Sequence, residues 1–302
     1  NATQGWVPTI DEAVADVPSL TEGIFGFGET TAVTNLVSTT GVVSTDVTGV
    51  GTARQRLAAC EYGGDKGIFG YGHGPVSMTN LVSSAGVVAT DVTGVGTARS
   101  KLAACNYGGD RDKGIFGFGD TGSVSSLTNL VSNAGVVAAD VTGVGTARKE
   151  LAACEYGGDK AIFGFGDTGS VTGVTNLVSN AGVVATDVTA VGTARTSPAA
   201  CSYGEDKGIF GFGVLTSGWT YLGMTNLVSN AGVVASDVTA VGTARAYLAA
   251  CEYGADKGIF GFGYDDSDNV STTNLVSNVG VVSSDVTGVG TGRNNLAACS
   301  FG

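Results

Sequence analysis

The sequence ends with RNNLAACSFG (residues 293–302), which is only the first half of a repeated unit. Five times earlier the same text continues without a break, as in RQRLAACEYGGDKGIFGYG (54–72). The earliest copy of the second half, LTEGIFGFG (20–28), has no LAAC before it. Complementary halves at the two ends predict that the last strand completes the first unit of a closed repeat structure, because an open array has no reason to divide a unit.

Six copies of the unit follow one another at a spacing of about 47 residues. Within a copy, LAACEY and KGIFGFG flank a GGD turn and predict a hairpin. TNLVSNAGVVA and DVTGVGTA predict a third and a fourth strand, because they are rich in β-branched residues. Four short strands per copy favour an all-β fold, a six-bladed β-propeller with four-stranded blades over residues 20–302, and residues 1–19 are expected to lie outside the ring.

Aromatic and glycine residues alternate in IFGFG. We therefore expect Phe25 and Phe27 to share one face of their strand and to press on the glycine-lined back of the next blade. The DVT aspartates are expected to form turns.

The composition limits the class of partner. The chain has 302 residues, of which 14% are charged, and 50 glycines but 4 prolines, which disfavours disorder and long helices. Its net charge of −12 argues against nucleic acid or an anionic membrane surface as a partner. No apolar run reaches the roughly 18 residues of a membrane span, so the sequence predicts no membrane insertion.

Each copy contains one cysteine and one GTAR or GTGR arginine. In a propeller, equivalent cysteines lie farther apart than the roughly 5.5–6 Å of a disulfide, and none has the short spacing of a zinc site. We predict small buried thiols, with a soft-metal ring as the alternative, and no metal or cofactor. The arginines suggest either an anion-binding ring at a channel mouth or a structural ring that bonds carbonyl and acidic groups, which their identity in all copies favours. The residues are Cys60, Cys105, Cys154, Cys201, Cys251 and Cys299, and Arg54, Arg99, Arg148, Arg195, Arg245 and Arg293.

Catalytic signals are weak. His73 is the only histidine, which argues against a catalytic triad that uses histidine and excludes a multi-histidine metal site. The adjacent carboxylates Asp265 and Asp266 have the spacing of a solvated loop rather than of facing acids. The sequence therefore predicts a protein that is not an enzyme.

The copies differ mainly in two places, the residues between the arginine and LAAC and the loop between GFG and TNL. Strand direction places both on one face, which we call the variable face, and binding commonly resides in such loops. Aromatic side chains with carboxylates suit a sugar or a protein interface, although Trp219 could instead fold back on its own loop. The candidate ligand-binding residues are Trp219, Tyr221, Tyr264, Asp265, Asp266, Asp268, Tyr247 and His73.

The order RxxLAACxYGGDKGIFGFG, followed by TN and an aliphatic strand, resembles the kelch repeat. It departs from that family in having FGFG where two glycines are usual and in lacking tryptophan in the fourth strand. The repeat text is similar to kelch-like repeats of bacteriophage virion proteins, particularly tail and fibre proteins of marine phages.

This resemblance implies a virion protein, assembled in the host cytoplasm, that displays a propeller for host attachment. Its partners would be other virion proteins and a host-surface glycan or receptor. The alternatives are an architectural virion component that docks to other virion proteins and a cellular kelch-like protein-interaction adaptor.

Overall fold

The computed structural model describes residues 21–189, 191–239 and 241–302, in which six antiparallel sheets of three strands each are formed. The expectation for residues 1–19 lies outside these ranges. No helix in them is long and apolar enough to cross a membrane. The strands are β1 (Glu22–Gly26), β2 (Thr34–Val37), β3 (Ala58–Tyr62), β4 (Lys66–Gly72), β5 (Val76–Val82), β6 (Ala103–Tyr107), β7 (Lys113–Asp120), β8 (Val124–Val131), β9 (Ala152–Tyr156), β10 (Lys160–Gly164), β11 (Thr175–Val178), β12 (Ala199–Tyr203), β13 (Lys207–Leu215), β14 (Thr220–Val228), β15 (Ala249–Tyr253), β16 (Lys257–Gly261), β17 (Thr273–Val276) and β18 (Ala297–Phe301), with a 3-10 helix at Gly109–Arg111.

Each sheet places a LAAC strand beside an IFG strand and the IFG strand beside a TNLV strand. In five sheets the three strands are consecutive, as in β3-β4-β5, where Cys60 lies opposite Ile68. The sixth sheet has the order β18-β1-β2, and Cys299 lies opposite Ile24. The last strand therefore occupies, beside the first, the position that the LAAC strand has in every other sheet. We call β3, β6, β9, β12, β15 and β18 the cysteine strands.

The predicted fourth strand is wrong. DVTGVGTA makes only isolated bridges to the third strand, such as Thr79 to Val92. Its polar groups bond to the next sheet instead: the backbone N–H of Thr97 (3.0 Å) and its hydroxyl (2.6 Å) donate to Asp140. Gly96, at φ 80°, turns the chain into this contact. The DVT aspartates are therefore acceptors between sheets rather than turn formers.

The sheets also bond to one another at the GGDK turns. The N–H of the glycine after each cysteine strand donates to the turn of the following sheet, as Gly108 does to the Asp159 carbonyl (2.8 Å). The series continues through Gly254, which donates to Thr21, and Gly302, which donates to Asp65. Every sheet is thus bonded to two others at this end.

The core lies between sheets and is built from phenylalanine packed on glycine. The expectation that Phe25 and Phe27 share a face is wrong: Phe25 packs on Phe262 (ring centroids 5.1 Å apart), whereas Phe27 packs on Phe69 in a different cluster (5.1 Å). The reason is that Phe27 has a left-handed φ of 63°, which reverses the strand alternation. Each IFGFG strand therefore contacts the sheets on both of its sides.

A substitution at Gly117 tests the packing of phenylalanine on glycine. An added Cβ there would lie 2.7 Å from Cζ of Phe163. The φ of Gly117 is not left-handed, so Gly117→Ala adds steric strain without backbone strain. We expect it to lower the free energy of unfolding by about 1–3 kcal/mol. Gly109→Ala, with nothing within 4 Å of the added methyl, is the control and should stay within about 0.5 kcal/mol. Equal chemical-denaturation curves for the two variants would contradict the packing.

Candidate functional site

The six recurring arginines are buried between sheets. Arg99 is typical: its Nε donates to the Phe118 carbonyl (2.9 Å), its Nη2 donates to Asn129 (2.6 Å), and its guanidinium lies 4.3 Å from the centre of the Tyr71 ring. Burial lowers the pKa of Arg99. In all six arginines Nε donates to a backbone carbonyl, although Nη2 of Arg54 and of Arg148 is buried without a hydrogen-bond partner in the described chain. The shared Nε bond favours the structural interpretation over an anion-binding ring.

The six cysteines are buried, and none is in a disulfide. Burial raises the pKa of the Cys60 thiol, which keeps it protonated and unreactive. A Cβ on Gly114 of the neighbouring sheet would lie 2.5 Å from the Cys60 sulfur, so the thiol fills the space against that glycine. Among the described residues no group of three or more histidine, cysteine or acidic side chains is arranged to hold a metal ion.

A buried acidic cluster lies at the end of the cysteine strands, and the sequence analysis missed it. The residue after the cysteine alternates between acidic and neutral around the six strands and lines a cavity together with the thiols. We call Glu61, Glu155 and Glu252, which are all buried, the glutamate cluster. The neutral positions are Asn106, Ser202 and Ser300.

Arg111 supplies the cation of the glutamate cluster. The turn GGDRDK between β6 and β7 is two residues longer than its counterparts, and this extra length carries Arg111. Its guanidinium bonds to Glu252, lies 3.4 Å from a carboxylate oxygen of Glu61, and donates to the Thr21 hydroxyl (3.2 Å). Attraction to Glu61 raises the pKa of Arg111 despite burial.

Burial raises the pKa of Glu155 to about 7 even though the charge of Arg111 opposes the shift, and burial also raises the pKa of Glu252. Glu155 accepts a hydrogen bond from the Asn106 amide. The cluster is therefore an internal ion-pair network with more carboxylates than cations. Two features could have revealed it from the sequence, the alternation of Glu with Asn or Ser after the cysteines and the two extra residues of one turn.

The opposite end of the cysteine strands carries a second group, which we call the polar ring. Its six residues all have a left-handed φ of 53–58°, and each backbone N–H donates to the carbonyl of the preceding member. The series returns to its start, since Arg56 donates to the Asn295 carbonyl (2.8 Å). The ring lines a cavity of about 70 Å³. Its members are Arg56, Lys101, Glu150, Ser197, Tyr247 and Asn295.

The polar ring has two cations, Arg56 and Lys101, but only one carboxylate, Glu150. Lys101 forms a salt bridge with Glu150 (2.7 Å), and Glu150 also accepts from the hydroxyls of Thr196 (3.1 Å) and Ser197 (3.3 Å). Arg56 Nε is buried without a hydrogen-bond partner in the described chain. Burial, followed by the charge of Glu150, raises the pKa of Tyr247 to about 12, so its phenol remains a donor at neutral pH.

The structure brings three of the candidate tyrosines together beside this ring. Tyr221 and Tyr264 have ring centroids 5.8 Å apart, and Tyr264 pairs through its backbone with Ala246, the neighbour of Tyr247. Trp219, at the tip of the β13–β14 hairpin, is 57% exposed, which favours an available indole over one folded onto its own loop. We call Trp219, Tyr221 and Tyr264 the aromatic patch: the two tyrosines pack together beside the polar ring, and Trp219 is exposed on the same hairpin as Tyr221.

The other candidate residues have different placements. Asp265 organises its own loop by accepting from Ser267 and from the Asp268 N–H (3.0 Å), and the Ser267 hydrogen bond lowers its pKa. Asp266 and Asp268 are exposed. His73 is exposed after β4, and its N–H donates to the Gln55 carbonyl (2.8 Å), so the two variable segments lie side by side there as well.

No protein-family model matches this chain, and a search of the curated proteins finds no match either.

Proposed function

We propose that the six sheets are the blades of a kelch-like β-propeller, and that the protein is a non-catalytic structural and attachment protein of a bacteriophage virion. Its variable face binds a glycan or protein of the host surface. A ring is supported by the pairing of β18 with β1 and by the two series of hydrogen bonds that return to their starting sheet. The assignment to a virion rests on the resemblance of the repeat sequence to kelch-like repeats of bacteriophage virion proteins. On this proposal the protein's partners include other virion proteins.

The observation that carries the binding assignment is the aromatic patch, formed by the exposed Trp219 and the half-buried Tyr221 and Tyr264. It lies in the part of the unit in which nearly identical copies differ, on strands that are elsewhere fixed by buried arginine and phenylalanine. Aromatic residues on a rigid support are typical anchors of binding interfaces, because little conformational entropy is lost when they are covered.

A non-catalytic role is supported by the state of the reactive groups. The thiols are buried with raised pKa values, and the single histidine is exposed in a loop without a carboxylate partner among the described residues. The buried carboxylates of the glutamate cluster are engaged by Arg111 and Asn106. None of these groups has the paired acid and base that hydrolysis requires.

An architectural role is the second candidate, and exposed valines favour it. The turn after each third strand exposes an equivalent valine, such as Val87 (64%), Val136 and Val183, and the turn after β17 exposes Val279 in addition. A repeated apolar rim of this kind suits contact with other virion proteins.

The two roles are separated by binding of the labelled protein to an array of bacterial oligosaccharides and to intact marine bacteria. The triple variant Trp219→Ala, Tyr221→Ala and Tyr264→Ala should weaken saturable binding by at least about 100-fold. The triple variant Val87→Ala, Val136→Ala and Val183→Ala is the matched control and should bind as the unmodified protein does. Undiminished binding by the aromatic variant, with loss in the valine variant, would contradict an attachment site on the variable face.

A further inference from the structure

The polar ring carries one cation, Arg56, that no carboxylate of the described residues neutralises. Its single carboxylate, Glu150, is already engaged by Lys101 and two hydroxyls, and Arg56 has no carboxylate partner among the described residues. A buried guanidinium nitrogen without an acceptor is unfavourable, because burial removes the water that would otherwise bond to it. Arg56 therefore lacks an acceptor that a ligand could supply.

The surroundings of Arg56 provide further donors. Tyr247 lies close enough for the charge of Arg56 to influence its titration, and its phenol stays protonated at neutral pH. Asn295 also lines this cavity, and one N–H of its amide donates to Asn294 (2.6 Å), which leaves the other N–H for a ligand. The cavity of about 70 Å³ is large enough for a carboxylate group, and Tyr221 and Tyr264 lie beside it rather than in its lining, where the remainder of a ligand would extend.

We propose that the polar ring binds the anionic substituent of an acidic saccharide, with Arg56 as the anion-binding residue. This inference rests on the proposed function, since it names the class of ligand that the variable face takes. The guanidinium donates to the carboxylate, Tyr247 adds a neutral donor, and the neutral part of the saccharide packs on the aromatic patch.

The exposed carboxylates favour a saccharide over an acidic peptide. Asp266 and Asp268 are exposed on the loop that follows Tyr264. Neutral sugar hydroxyls donate to such carboxylates, whereas the successive charges of an acidic peptide would be repelled by them. A ligand with one anionic group held at Arg56 and neutral sugars outside satisfies both regions.

The test compares two oligosaccharides that differ only at one end, one with a terminal glucuronate and the other with a terminal glucose. Isothermal titration should show that the unmodified protein binds the glucuronate form more tightly. Arg56→Gln should weaken that binding by about 10- to 100-fold and leave the glucose form unchanged. Arg56→Lys should retain part of the preference, because it keeps the charge.

Lys160→Gln is the matched control: it removes one positive charge in the β9–β10 turn, at the other end of the strands, and should leave binding unchanged. Equal binding of both oligosaccharides, unaffected by Arg56→Gln, would overturn this inference and leave the proposed function intact. Binding to cells through Trp219 without binding to either saccharide would overturn it in the same way. Absence of binding to both cells and saccharides would overturn the proposed function as well.

Discussion

Replacing Arg111 with glutamine is expected to lower the free energy of unfolding by about 3–5 kcal/mol at pH 8, because three buried carboxylates then lose the one cation that the described residues place beside them. Arg111 contacts Glu61 and Glu252 directly, and its charge also lowers the pKa of Glu155. Chemical denaturation at pH 8 and at pH 5 measures the effect. The loss should be much smaller at pH 5.

The pH dependence has a defined sign. Burial raises the pKa of Glu155 to about 7 and also raises that of Glu252, so the folded protein binds more protons than the unfolded chain between about pH 4.5 and these values. The stabilising contribution of these two groups is complete below about pH 4.5 and is lost as the pH rises through the folded-state pKa values. Removing Arg111 raises both pKa values further, because its charge favours the ionised carboxylates. The variant therefore differs most from the unmodified protein where those carboxylates would be ionised.

A second substitution separates charge from packing. Glu252→Gln in the Arg111→Gln background removes one of the uncompensated charges and should restore part of the lost stability at pH 8. If Arg111 stabilised the protein only by packing beside the glutamate cluster, the double variant would be no more stable than the single one. The difference in stability loss between pH 8 and pH 5 would then also be absent.

The repeat period and the divided unit were sufficient to predict six β units, and six sheets are present. The number of strands per sheet could not be predicted in this way. DVTGVGTA is rich in β-branched residues and therefore has the composition of a strand, although it adds none to its sheet. Its actual partner is decided by a contact between distant residues, the donation of Thr97 to Asp140 on the next sheet. The prediction that Phe25 and Phe27 share one face of their strand was wrong for a similar reason. A left-handed φ is rare for phenylalanine, and here it is stabilised by packing on both sides of the strand.

The candidate sites also differ in whether the sequence alone could reveal them. Trp219 and Tyr264 were visible because they interrupt an otherwise repeated text. The glutamate cluster is assembled from three separate copies and one extended turn, so its meaning depends on a geometry that brings Arg111 to Glu252. The unbalanced charge of Arg56 was hidden for a different reason, because it follows from the pairing of Lys101 with Glu150.

Ending the chain after Arg293, which removes β18, is expected to prevent folding of the remaining chain. Leu296 and Phe301 are buried, and burial of two such side chains contributes about 3–6 kcal/mol. The deletion also exposes the edge of β1, which loses its whole pairing from Glu22 to Gly26. The combined loss approaches the roughly 5–15 kcal/mol that stabilises an ordinary domain. Circular dichroism and thermal melting should therefore show no cooperative transition.

Adding the missing strand as a separate peptide distinguishes this cause from general damage. A synthetic peptide of residues 294–302 should restore a cooperative melting transition in a concentration-dependent manner, because it supplies the same backbone ladder and the same buried side chains. A peptide in which aspartate replaces the residue corresponding to Cys299 should not, since that side chain is buried against the neighbouring Gly67. A truncated chain that melts at the temperature of the full protein would show that the pairing of β18 with β1 contributes little to stability. Because the three strands of each other sheet are consecutive in sequence, the sheet β18-β1-β2 is the one whose assembly must wait for a strand distant in sequence.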